Sequence, residues 1–143
     1  MTEATSDRTI VEDLLVYTTY DWIDLGHLRS VVRESKGVEA DRLHSACMSV
    51  ISELIGRGLV AAGDVVDGLF TAWPVTRAQA IDRIDEEWRA QPDPALMPFE
   101  VAALAPCPAA IAVVEAVMDR EGGDESWRPR MLARTVSDPQ RSE

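Results

Sequence analysis

Apolar residues recur at helical spacing along most of this chain, with one interruption of a different rhythm. Thr9 to Glu12 has the form of a capping box, in which a hydroxyl and a carboxylate each satisfy an amide left bare at a helix start. A first helix is expected to follow, with Ile10, Val11, Leu14, Leu15 and Thr18 on one face. Asp24 reads as the N-cap of a second helix, whose inner face is Leu25, Leu28, Val31 and Val32 and which Gly37 closes. The third helix has the clearest stripe: Leu43, Ala46, Cys47, Val50, Ile51, Leu54 and Ile55, with Asp41 at its start. Gly58 ends it, and Leu59 is placed to fold back on its last turn.

From Leu59 to Trp73 the rhythm changes to β-prone residues around Asp67-Gly68. Asp-Gly favours the two-residue type I′ hairpin turn, because both central positions need positive φ. Pro74 stops the second strand, and a capping box from Thr76 to Gln79 begins a fourth helix with Ala80, Ile81, Ile84 and Trp88 inside. Pro92, Pro94 and Pro98 mark a connector expected to lay Leu96, Met97 and Phe99 on the body. A last helix is predicted from Pro108 to Met118, ahead of Gly122-Gly123.

The order helix, helix, helix, hairpin, helix is that of a winged helix, in which the second and third helices form a helix-turn-helix and the hairpin is the wing. The expected fold class is therefore mainly α with one β-hairpin (α+β), with one or two further helices. Residues 1–123 would form one domain with a helical extension, and 124–143 a polar tail, partly ordered or flexible, in which only Trp127, Met131, Leu132 and Val136 could serve as anchors. Four runs between residues 51 and 89 carry a further likeness: Glu53-Leu54-Ile55-Gly56-Arg57-Gly58-Leu59-Val60, Ala62-Gly63-Asp64, Ala72-Trp73-Pro74 and Arg83-Ile84-Asp85-Glu86-Glu87-Trp88. In these the chain resembles small actinobacterial winged-helix-like proteins of unassigned function, more weakly back to Asp21-Trp22. The resemblance implies a fold and no activity.

Composition adds a bias of charge. The chain of 143 residues is 46% hydrophobic and 27% charged, ordinary for one globular domain, but its net charge is −11. Residues 59–119 are the most anionic part, with 3 basic and 10 acidic side chains. Binding DNA relies on lysine and arginine displacing phosphate counterions, so a polyanion is the less favoured partner. The start has neither a basic n-region nor an apolar h-region, no stretch is apolar enough for a membrane span, and Cys47 and Cys107 make no disulfide framework. The expected home is a reducing cytoplasm.

Candidate chemistry is sparse. His44 and Cys47 stand three apart, yet only His27 and Cys107 remain to complete a four-ligand zinc site. Cys47 fits the apolar stripe as a small buried hydrophobe. Asp82, Asp85, Glu86 and Glu87 share a helix, but solvation explains them without a dry cleft to separate their pKa values. No nucleophile elbow, metalloprotease, Walker or dinucleotide signature occurs, so no cofactor and no catalytic residue is assigned.

Two readings remain. The preferred one is a non-enzymatic module that binds a basic protein through the acidic wing and fourth helix, with Asp64, Asp67, Asp82, Asp85 and Glu86 as candidate contacts. Masking a cationic toxin, as an antitoxin or immunity protein does, is one concrete form. Trp127, beyond the Gly-Gly break, either tucks against the last helix or projects to the partner; tucking is favoured, since monomers rarely expose large apolar patches. The alternative is a transcriptional regulator reading DNA with Arg42, Ser45, Ser49 and Arg57 of the third helix, in which a homodimer gathers the few arginines into one strip.

Overall fold

A computed structural model of the chain describes residues 8–37, 40–90 and 101–141. Local signals start and stop most elements. The Thr9 hydroxyl accepts from Glu12 N–H and the Glu12 carboxylate from Thr9 N–H, both at 3.0 Å, opening α1 (Ile10–Tyr17). After β1 (Ile23–Asp24), Asp24 caps α2 (Leu25–Lys36) by accepting from His27 N–H at 2.8 Å, and Gly37 closes it at φ +62°. Helix α3 (Ala40–Gly56) already contains Asp41, one residue inside the start expected from the sequence; the side chain of Asp41 lies outside the described residues. It ends in a Schellman motif: Gly58 N–H bonds Ile55 O, Leu59 N–H bonds Leu54 O, and Gly58 adopts φ +70°.

The hairpin follows as expected, β2 (Val60–Val66) and β3 (Leu69–Ala72), joined by Asp67 at φ +54° and Gly68 at φ +76°. The Thr76 and Gln79 capping box opens α4 (Arg77–Arg89), which buries Ala80, Ile84 and Trp88. The connector residues Leu96, Met97 and Phe99 lie outside the described residues. The chain then forms β4 (Ala103–Pro106), α5 (Pro108–Glu121) with proline in its first turn, and α6 (Trp127–Arg134).

The fold is α+β, mainly helical, but its sheet is larger than the hairpin alone. It has four antiparallel strands in the order β1-β4-β2-β3. Strand β4 arrives after α4 and slots between β1 and β2, with Leu104 opposite both Ile23 and Ala62. Its sequence, Ala-Leu-Ala-Pro, lacks the β-branched and aromatic residues that mark strands, and its flat small side chains suit a strand covered on both sides. Val11, Leu14, Leu28, Val32, Ile51, Leu54, Ile55, Ile84, Leu104, Val114 and Val117 join in one core shared by the helices and the sheet.

The stretch beyond Gly123 belongs to this body. Trp127 is 2% exposed and Met131 fully buried, whereas Leu132, expected as an anchor, is 51% exposed. Beyond α6, Val136 N–H bonds Pro106 O at 2.9 Å, Asp138 pairs with Arg77 at 2.5 Å, and Gln140 is 1% exposed. The Gln140 carboxamide works as a strand would: its oxygen accepts from Ala62 N–H at 2.9 Å, and its nitrogen donates to Ala62 O at 2.7 Å and Trp73 O at 3.1 Å. Strand β3 ends at Ala72 and Pro74 turns the chain away, so this side chain completes the pairing of β2 where its neighbour stops.

Candidate functional site

The structure distributes the acidic candidates over two settings. On α4, Asp85 is held: its Oδ1 lies 2.6 Å from His44 Nε2 and accepts from Arg89 Nε at 3.0 Å. Glu87 pairs with Arg83 at 2.8 Å. Asp82 and Glu86 are exposed and make no ion pair among the described residues. Asp85 therefore serves first as a clasp between α3 and α4, and the His44 ring also sits edge-on to Trp88 at 5.1 Å. His44 is thus spoken for, and no group of three His, Cys, Asp or Glu among the described residues is arranged to hold a metal ion.

The hydrogen bond from His44, then that from Arg89, hold the Asp85 carboxyl below the usual carboxylate range. Arg120 and the Thr9 amide do the same for Glu12, and Arg8 for Glu121. A carboxyl lowered on folding stabilises the fold above its unfolded pKa, about 4, and loses that contribution as pH falls through the lowered folded value. Urea midpoints should therefore fall on going from pH 7 to pH 3. Asp85→Asn should lower the midpoint at pH 7 and shrink the pH dependence; an undiminished dependence would show that Asp85 has no part in it.

The second setting lies at the hairpin. Asp64 Oδ2 accepts from Trp73 Nε1 at 3.1 Å, and the Arg83 guanidinium covers that indole 3.7 Å from its centroid. Asp67 stands in the turn itself, exposed. Across the sheet from them are Asp21, which accepts from Trp22 N–H at 2.8 Å, and Asp24, the cap of α2. A groove of about 750 Å³ runs between, lined by Asp21, Trp22, Asp24, Gly63, Asp64 and Val65 among others. None of Asp21, Asp24, Asp64 and Asp67 makes an ion pair with a described arginine or lysine. Burial first, then Asp21 and Asp24, push the Tyr17 phenol up.

Beneath the groove Trp22 and Phe70 stack at 6.0 Å and 28°. Gly63 makes room for this, since Phe70 reaches across it. Val65 and Val66, which line the groove, are 44% and 61% exposed, and Leu69 beyond the turn is 70% exposed. Sequence reasoning found Asp64 and Asp67 but not Asp21 and Asp24. These meet the hairpin only because β4 bridges β1 to β2.

The remaining candidates fall elsewhere. Trp127 is buried against the body with its Nε1 unbonded, so its ring belongs to the core and not to the outer face on which a partner would meet it. Its indole fills the interior because the Gly122 turn, at φ +76°, sends the chain back from α5 into α6. Arg42, Ser45, Ser49 and Arg57 are all exposed on α3, and Arg57 pairs with Glu53 at 2.9 Å. Around them a second hollow of about 480 Å³ mixes Lys36 and Arg57 with Glu12 and Glu53. Cys47 and Cys107 are free and buried, and burial pushes their thiols up to about 11 and about 12, outside the range of reactive cysteines. No helix among the described residues is long and apolar enough to cross a membrane.

No protein-family model matches the chain, and neither a curated protein nor a solved structure matches it significantly.

Proposed function

We propose that the chain is a non-enzymatic protein-interaction module that binds a basic partner through the acidic surface of the hairpin and the exposed side of α4. One observation carries this reading. The described arginines that form ion pairs hold carboxylates elsewhere, on α1, α3, α5, Asp85 and Glu87 of α4, Glu125 and the C-terminal segment, and Asp64, Asp67, Asp82 and Glu86 make no ion pair among the described residues. Unpaired carboxylates cost nothing on a wetted surface and gain when a cationic surface displaces that water.

The exposed face of α3 keeps the regulator reading as the alternative, but Glu53 lies between its basic residues and Arg57 is already paired. DNA retention at ~0.1 M salt, where phosphate contacts still register, would favour it. The test of the preferred reading is capture from a lysate at low and high salt. Partners retained at low salt and released at high salt are expected. The Asp64→Asn, Asp67→Asn, Asp82→Asn, Glu86→Gln protein should capture them at least about tenfold less well, the effect of roughly 1.4 kcal/mol. An empty partner list at both salt concentrations, or equal capture by the neutralised protein, would count against the reading.

A further inference from the structure

The register of the sheet leaves an opening beside the hairpin. In an antiparallel ladder successive residues direct their N–H and C=O to opposite neighbours. Trp73 N–H bonds Ala62 O, so Ala62, Asp64 and Val66 face β3, whereas Ala61, Gly63 and Val65 face β4. Strand β4 begins at Ala103, opposite Gly63. Val65 thus has no strand opposite it on that side among the described residues, and its edge borders the groove of about 750 Å³. Alternation also places Gly63, Val65 and Phe70 on one face, with Trp22 stacked on Phe70.

We propose that this groove takes an extended segment of the partner protein, which pairs with the Val65 edge and alternates lysine or arginine with apolar residues. The inference rests on the reading above that the partner is basic. A strand edge with no strand opposite it among the described residues selects extended backbone. Asp21, Asp24 and Asp64, which make no ion pair among the described residues, select cationic side chains, and Val65 and Val66, which line the groove and are exposed, select apolar ones between them. A second copy of this chain is the wrong complement, since its net charge is also −11. The chain's own residues 91–100 carry Asp93 and Glu100 and no basic residue, which is again the wrong sign.

The test is selection of random 12-residue peptides displayed on phage against the full chain, followed by affinity and amide-exchange measurements on the enriched peptides. Enrichment of alternating basic and apolar residues is expected. Binding should fall at least tenfold for the Asp21→Asn, Asp24→Asn, Asp64→Asn protein, in which asparagine preserves the cap of α2. The Val65 amide should exchange more slowly once peptide is bound. Should the triple variant melt early, Val66→Lys adds a repelling charge at an exposed rim position and should weaken the same peptides. Basic peptides that bind the triple variant undiminished would overturn the groove while leaving the basic-partner reading intact. So would a Val65 amide already protected without peptide, the sign of an internal occupant, or protected only as protein concentration rises, the sign of a second copy. Absence of basic enrichment alongside salt-sensitive protein capture overturns the groove alone; absence of both overturns the reading beneath it.

Discussion

Gln140→Ala is expected to destabilise the protein by about 1–3 kcal/mol, more than removal of any surface ion pair, because the buried amide of Ala62 would lose its partner, while Trp73 O would keep its bond from Val75 N–H. Ala62 O would keep its bond from Trp73 N–H, so the loss falls chiefly on the N–H. Gln140→Glu should not rescue: an ionised carboxylate accepts from Ala62 N–H but has nothing to donate to Ala62 O or Trp73 O, and its charge would be buried. Urea denaturation provides the measure, with a lower midpoint at unchanged slope. A change under about 0.5 kcal/mol, typical of a surface substitution, would show that the carboxamide is dispensable.

Gly63→Ala should cost about 1–3 kcal/mol as an overpacked site and more if the strands part. A Cβ there would collide with Thr71 O, lie 2.7 Å from Phe70 Cζ and 2.9 Å from Ala72 Cα. Two of these are backbone and cannot swing aside, so either β2 and β3 separate or Phe70 leaves Trp22. Loss of the near-ultraviolet signal of the stacked pair should accompany the lower midpoint. Gly68→Ala supplies the contrast: nothing lies within 4 Å, and its cost of roughly 1–2 kcal/mol comes only from placing an L side chain at φ +76°. If both variants behaved alike, space at Gly63 would not be the constraint.

What could be read in advance follows the range of the physics. The boxes at Thr9 and Thr76, the cap at Asp24, the turn at Asp67-Gly68 and the stop at Gly58 each depend on residues within five positions, and all are present. The helical stripes were legible for the same reason, down to Trp88 and Trp73 turning inward. Strand β4 was not, because Ala103–Pro106 acquires its structure from partners far upstream. Gln140 gave no signal either, since glutamine is ordinarily exposed and only the end of β3 gives it a task.

The candidate site divides along the same line. Asp64 and Asp67 were visible on the hairpin, while the approach of Asp21 and Asp24 is a property of strand order. On α4 the sequence showed a run of acids without showing that Arg83, Arg89 and His44 spend themselves on two of them. Trp127 is buried, the side of its two alternatives that the rarity of large exposed apolar patches favours.

The strand order also sets a timetable. Helices α1 to α3 find one another within the chain up to Gly56, but the middle of the sheet waits for β4, and β2 is finished only by a side chain 78 residues beyond Ala62. Loops of that length close slowly, so the helices should be assembled well before the sheet is zipped. In that interval the Val-rich β2 hairpin stands with an open flank, and crowding or heat then would favour pairing between neighbouring molecules over completion within one.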